Sequence, residues 1–177
     1  MKTLDELIEK FRLLNFKIGP VTDNDRDAGH YGKIIHKELL YGDNLSEKGP
    51  DCSDGDLKTR RIDDKKNNRN LDICTLKGSY GEKYIREFAQ KKVENFVHVY
   101  YAIKKERFET LLDDNPNYFS SIVVEKIIKY TNMNTSLFQD NLDIRWSKSK
   151  GHWEVKILSE NKVDKIWRNR HIIDLTN

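Results

Sequence analysis

The chain has 177 residues, a length that suits a single domain over residues 1–177 with one continuous hydrophobic core. It is 37% hydrophobic, 34% charged and 10% aromatic, and this aromatic content argues against a disordered chain. The formal net charge of +3 is a weak indication of a nucleic-acid partner, so the placement of the charges matters more than their sum. No apolar run approaches the roughly 20 residues that span a bilayer, and no signal-peptide pattern opens the chain. We therefore predict a cytoplasmic protein without a membrane partner.

The first half of the chain predicts two helices and two strands. Apolar residues within 1–16 recur at helical spacing and predict an amphipathic helix that ends before Pro20. The segment 29–41 has the same periodicity and predicts a second helix. Residues 51–62 are expected to form a strand, with 71–76 as its partner in a hairpin.

The second half is richer in strand patterns. β-Branched and aromatic residues over 96–104 predict a central strand, preceded by a short helix over 81–92. Apolar residues at helical spacing predict a helix over 120–130. The segments 142–146 and 152–158 predict a hairpin, whereas 163–175 fits a helix or a strand. The expected fold class is α/β or α+β, with a central mixed β-sheet flanked by helices.

The residues most indicative of function lie around the turn Ser53-Asp54-Gly55. Side chains two positions apart in a strand point to the same face, so Asp56 and Lys58 should project together, with Asp51 beside them across the turn. Two carboxylates and a lysine suit metal-assisted hydrolysis of a phosphodiester bond. The acids would hold Mg²⁺, with Mn²⁺ as a substitute, and the lysine would act on the attacking water or the developing charge.

Other acid-x-Lys triplets occur in the chain, and Glu154-Val155-Lys156 is the strongest rival because it lies on a predicted strand. The simpler interpretation of that triplet is a charged surface on a hairpin.

Basic residues occur in two places where DNA contacts are expected. Arg60 and Arg61 continue the strand that carries Asp56, and Arg145, Lys148 and Lys150 surround the predicted hairpin turn at 147–151. Each group also fits an ordinary solvated surface.

The segment 29–59 resembles the MutH-like restriction endonucleases, a branch of the PD-(D/E)xK nuclease superfamily. The matching residues are Gly32 with Ile34-Ile35, the segment Leu40-Tyr41-Gly42, the turn acid Asp51, and Asp56-Leu57-Lys58-Thr59. The match covers about thirty residues. It departs from the family where His36 occupies the usual position of a helix glutamate, with Glu38 nearby, and where the strand acid is Asp56 instead of the commoner glutamate.

The resemblance implies a restriction-endonuclease-like fold and a type II enzyme that cuts double-stranded DNA at a short sequence, leaving 5′-phosphates. Asp51, Asp56 and Lys58 would be catalytic, and the carbonyl of Leu57 could join the two acids as a metal ligand. The catalytic core would span about 29–104 and the DNA-recognition elements about 115–177. A cognate DNA methyltransferase is the implied partner, and a second copy of the chain is a candidate partner.

Two alternatives remain open from the sequence. One is a nicking or repair endonuclease with the same fold. The other is a DNA-binding domain without catalytic activity, in which the acids only solvate a loop.

Overall fold

The computed structural model describes residues 2–22, 29–40, 49–64, 70–108 and 117–176, with the backbone alone for 106–108 and 117–118. The elements in chain order are α1 (Leu4–Leu13), β1 (Lys17–Val21), α2 (His30–Leu40), β2 (Asp56–Arg61), β3 (Leu71–Leu76), α3 (Glu82–Val93), β4 (Phe96–Phe108), β5 (Asn117–Met133), α4 (Thr135–Asn141), β6 (Leu142–Ser147), β7 (His152–Ile157), a 3₁₀ turn (Glu160–Lys162), α5 (Val163–Ile166) and β8 (Trp167–Ile172). In these ranges no helix is long and apolar enough to cross a membrane.

The main sheet has the strand order β1-β5-β4-β2, and β8 also pairs with β5. Strand β2 runs parallel to β4, whereas the remaining pairs are antiparallel, so the sheet is mixed as predicted. Strand β4 lies between β2 and β5, which confirms the central strand predicted over 96–104. The predicted short helix that precedes this strand is also confirmed, as α3.

A second, antiparallel sheet has the order β3-β7-β6. It confirms the predicted hairpin of β6 and β7. The predicted hairpin of the strands over 51–62 and 71–76 is wrong, because β3 pairs with β7 and β2 pairs with β4. Strands β2 and β3 each pair with a strand that is distant in sequence, and their apolar side chains pack in the same cores as those of their partners. A local turn pattern carries no information about such pairing.

The two faces of the main sheet pack against different layers. On one face Leu57, Val97 and Val99 form a core with the apolar residues of α1 and α2. On the other face Phe96 and Tyr130 form a core with α3, the second sheet and α5. Because successive side chains of β2 point to opposite faces of the sheet, Leu57 is buried against the helices, and its neighbours Asp56 and Lys58 point to the opposite face.

Three segments differ from their predicted structure. Residues 120–130, predicted as a helix, belong to the long strand β5, where their β-branched side chains pack well on a pleated surface. Helix α1 ends at Leu13, and positive φ angles at Asn15 and Phe16 redirect the chain into β1, a strand that the sequence analysis did not predict. Over 163–175 the chain forms first a short helix and then a strand.

The turn before β2 leaves no room for a side chain at Gly55. Its carbonyl accepts a hydrogen bond from the Cys52 amide at 2.8 Å, and a Cβ there would meet the Asn95 carbonyl and lie 2.7 Å from Leu4 Cδ1. Because one of these neighbours is backbone, it cannot move aside cheaply. The tight packing holds the turn against both α1 and the start of β4.

We expect Gly55→Ala to lower the free energy of unfolding by about 1–3 kcal/mol, the usual effect of overpacking. Gly81→Ala is the comparison, since nothing lies within 4 Å of a Cβ at Gly81; as the N-cap of α3 it loses only the capping preference of glycine over alanine and should cost less than Gly55→Ala. Urea unfolding of both variants measures the difference. Equal midpoints would contradict the tight packing of the turn.

Candidate active site at the start of strand β2

A four-residue turn places Asp51 beside Asp56. Cys52 and Gly55 form an isolated bridge across the turn, so the residues that flank it run alongside each other. Asp54 Oδ1 accepts a hydrogen bond from the Leu4 amide at 2.8 Å, which attaches the turn to the start of α1. The turn brings the two acids together, and its contact with α1 holds it in place.

The two carboxylates are held by backbone amides in a reciprocal arrangement. The Asp51 amide donates to Asp56 Oδ1 at 3.0 Å, and the Leu57 amide donates to Asp51 Oδ2 at 3.2 Å. The Asp56 side chain is only 1% exposed, whereas that of Asp51 is 16% exposed. These two bonds leave Oδ1 of Asp51 and Oδ2 of Asp56 unused. The carbonyl of Leu57 stays a predicted metal ligand; its side chain is buried on the other face.

Lys58 lies on the same face as Asp56, as the strand periodicity predicts. Its Nζ is 2.8 Å from Asp56 Oδ2 and donates to the Ile73 carbonyl at 2.6 Å. Ile73 lies where the register of β3 and β7 shifts between Asp72 and Cys74, an irregularity that commonly redirects groups near functional sites. The lysine is thus fixed between an acid of the main sheet and a carbonyl of the second sheet.

Two further side chains reach the acid pair. Lys92 of α3 places its Nζ 3.7 Å from Asp56 Oδ1 and donates to the Gly49 carbonyl at 3.0 Å. His36 of α2 places its Nδ1 3.6 Å from Asp51 Oδ2. The sequence indicated His36 only through its position in the family resemblance, and no pattern indicated Lys92. Glu38, the other residue considered for the helix acid, is exposed, and the matched residues Tyr41 and Gly42 lie outside the described part of the chain.

Burial and neighbouring charges shift the pKa values of Asp51, Asp56 and His36 from their ordinary values, and the two acids shift in opposite directions. Burial raises the pKa of Asp51 to about 7, and the Asp56 carboxylate beside it adds to the rise. Burial also opposes ionisation of Asp56, but Lys58 and Lys92 outweigh it and lower the pKa of Asp56. Burial, together with the charge of Lys58, lowers the pKa of His36 to about 4, so its imidazole is neutral at neutral pH. Asp56 is therefore the more readily ionised member of the pair.

The donor set of the site is two carboxylates. Within the described ranges no group of three or more His, Cys, Asp or Glu side chains is placed to hold a metal ion. Mg²⁺ is commonly bound by one or two carboxylates and completes its shell with water and substrate phosphate. Two contacting buried acids repel each other when both are ionised, and a divalent cation relieves that repulsion. The residues present fit such an ion.

The predicted DNA-contacting residues lie in different environments. Arg60 is mostly buried: its guanidinium is 2.7 Å from Glu160 and bonds to the Asn70 carbonyl. Arg61 donates to Asp63 at 2.8 Å and lies over the ring of Tyr31. Both arginines therefore have partners within the protein.

The other three basic residues, all exposed, lie on the β6–β7 hairpin of the second sheet. Arg145 pairs with Asp143 at 3.0 Å and Lys150 with Glu154 at 3.3 Å, and Lys148 lies in the exposed turn between the strands. The rival acid Glu154 also lies 3.5 Å from His152 and 3.8 Å from Lys156. These contacts favour the interpretation of that triplet as a charged hairpin surface.

Comparison with known proteins supports the fold. No protein-family model matches the chain, and no curated protein matches it. Among solved structures, the complex of the restriction endonuclease MvaI with its cognate DNA substrate aligns with a TM-score of 0.52, covering 99% of this chain and 100% of that one. The sequences are 9% identical, so the similarity is one of fold. It confirms the predicted restriction-endonuclease-like architecture, whereas membership of the MutH-like branch stays a prediction.

The raised pKa of Asp51 predicts how the metal-free protein responds to pH. Because the folded pKa of about 7 exceeds the ordinary value of 3.8, the unfolded chain releases this proton first as the pH rises. The stability that the proton confers is complete below the unfolded pKa and is lost as the pH rises through about 7. An asparagine side chain imitates the protonated acid, so Asp51→Asn should melt at a higher temperature than the wild type at neutral pH and above.

The measurement is thermal unfolding in EDTA over a series of pH values. The difference in Tm should be small in acid, grow as the pH approaches 7 and then stay constant. Asp72→Asn, at an exposed acid on β3, is the control and should show no such change. A Tm for Asp51→Asn below that of the wild type at high pH would contradict the assignment.

Proposed function

We propose that this protein is a Mg²⁺-dependent endonuclease that hydrolyses phosphodiester bonds in double-stranded DNA. The observation that carries the proposal is the pairing of Asp51 with the buried Asp56, which has Lys58 beside it on the same face of β2. The fold adds support, since MvaI is a restriction endonuclease and its aligned structure is a complex with cognate DNA. The more specific form of the proposal is a type II restriction enzyme of the MutH-like branch that leaves 5′-phosphates and acts beside a cognate methyltransferase.

In this proposal the chain supplies the metal ligands and a fixed cation. Asp51 and Asp56 would hold Mg²⁺, with the Leu57 carbonyl as a further ligand, and the bound ion would polarise a phosphate oxygen and acidify a water. Lys58 is oriented by its ion pair with Asp56 Oδ2 and its hydrogen bond to the Ile73 carbonyl, so its ammonium group would act on the attacking water or on the charge that develops on the phosphoryl oxygens. The backbone amides that hold both acids fix their spacing before substrate arrives.

The proposed DNA-binding surface is the exposed hairpin of β6 and β7, with Arg145, Lys148 and Lys150. Charges of this kind contact phosphates and give an affinity that falls with salt. Arg60 and Arg61 would contribute to DNA binding only by exchanging their present partners Glu160 and Asp63.

Plasmid digestion with Mg²⁺ is the direct test of the proposed activity. Discrete fragments whose ends share one sequence indicate a restriction enzyme, and relaxed circles without linear product indicate a nicking enzyme. Binding without cleavage under all divalent cations would leave the DNA-binding domain as the function.

We expect Lys58→Ala to lower the cleavage rate by a factor on the order of 10² or more while lowering DNA affinity no more than several-fold. A group that acts only in the transition state contributes to the chemical step and little to binding of the ground state. Single-turnover cleavage and fluorescence anisotropy measure the two quantities. Lys156→Ala is the matched control on the rival triplet, and an inactive Lys156→Ala beside a fully active Lys58→Ala would place the site on β7.

Ca²⁺ should tighten DNA binding without supporting cleavage. The ion would relieve repulsion between the carboxylates and the scissile phosphate, but its larger and looser shell positions and acidifies water poorly. In a gel-shift titration the Ca²⁺ effect should disappear in Asp51→Asn and in Asp56→Asn, while the salt-sensitive background binding remains. Cleavage that continues undiminished in excess EDTA would refute the metal-dependent mechanism.

A further inference from the structure

Two lysines, from different elements, contact one acid of the candidate site. Lys58 on β2 lies 2.8 Å from one oxygen of Asp56, and Lys92 on α3 lies 3.7 Å from the other. Asp51 is joined to Asp56 through its own amide, so all four side chains form one cluster. When both acids are ionised, the formal charges of the two carboxylates and the two ammonium groups cancel.

This cancellation has a direct consequence for a divalent cation. An isolated pair of acids attracts such an ion strongly, but here two positive charges already neutralise the acids. The lysines are 15% exposed and Asp56 is 1% exposed, so solvent screens their interaction with a neighbouring charge only weakly. With both acids ionised, a divalent cation would give the cluster a formal charge of +2, and the single negative charge of a DNA phosphodiester would lower it to +1.

Resting on the proposed function, we infer that Lys92 sets the metal affinity of the site and keeps that affinity low until DNA phosphate is present. Lys58 has the same charge, but it is proposed to act in the chemical step. Lys92 is held differently: it donates to the Gly49 carbonyl, at the entry to the turn that carries Asp51. Lys92 thus approaches the two acids from α3. Replacing it leaves Lys58, the proposed catalytic lysine, in place.

The inference predicts that removing the charge of Lys92 has opposite effects on the binding of a divalent cation and of DNA. Without DNA, Lys92→Met should bind Mn²⁺ at least roughly tenfold more tightly than the wild type, because one repulsive charge has gone. The same variant should bind a mixed-sequence DNA duplex several-fold more weakly in EDTA, because an attractive charge has gone. A residue that only supports the fold would weaken both interactions when it is replaced.

The experiment is an electron paramagnetic resonance titration of free Mn²⁺ with DNA-free protein, alongside anisotropy with the duplex. Lys92→Arg, which keeps the charge, should match the wild type in both assays. Lys91→Met, at the exposed neighbour on the same helix, should leave Mn²⁺ affinity unchanged. An Mn²⁺ affinity that is unchanged or weaker in Lys92→Met, or equally raised in Lys92→Arg, overturns the inference.

Asp56→Asn separates this inference from the proposed function. It should abolish Mn²⁺ binding at this site, both as a single substitution and in combination with Lys92→Met. If Mn²⁺ still binds with the same affinity, the metal lies elsewhere and both proposals fail. If Asp56→Asn abolishes binding but Lys92→Met has no effect, the metal site stands and only the inference about Lys92 fails.

Discussion

The carboxylate of Asp56 is buried almost completely at the start of an edge strand, and much of the surrounding structure compensates for its charge. A buried carboxylate is tolerated only when opposite charges and hydrogen-bond donors surround it. Here Lys58, Lys92 and the Asp51 amide supply them from three different parts of the chain. The turn, strand β2 and helix α3 are thereby held together around a single charge.

The position of β2 makes this arrangement possible. Its alternate residues belong to two separate layers, so Leu57 anchors the strand in the core of α1 and α2 while the polar side chains face the second sheet. Gly32 lets α2 approach closely, since a Cβ there would lie 2.9 Å from Thr59 Oγ1. Strand β2 thus has one face packed in the core and one face that carries the acid and the lysine of the candidate site. The packing of the core face fixes the position of these polar side chains.

The same polar face also connects the two sheets beyond the site. Glu160 pairs with Arg60 at 2.7 Å and accepts a hydrogen bond from the hydroxyl of Tyr100 at 2.7 Å. The preceding residue, Ser159, has φ 75°, a conformation that is costly for a residue other than glycine. Together with the bond from Lys58 to the Ile73 carbonyl, these contacts bind the second sheet to β2. The second sheet is therefore joined by hydrogen bonds and ion pairs to the strand that carries Asp56.

The sequence by itself determined the local part of this site. The turn at Ser53-Asp54-Gly55 and the two-residue period of a strand are short-range properties, and they were sufficient to place Asp51, Asp56 and Lys58 together. The mixed sheet and its central strand followed from composition and periodicity in the same way.

Only the tertiary structure decided the partners that come from far along the chain. Lys92, the Ile73 carbonyl and Glu160 meet β2 because of sheet order and helix packing, which depend on the mutual fit of whole apolar faces. The same cause explains the wrong hairpin of β2 with β3, and the strand β5 where local spacing favoured a helix. Local pattern specifies which way a side chain points from its own element, and long-range packing specifies what it meets there.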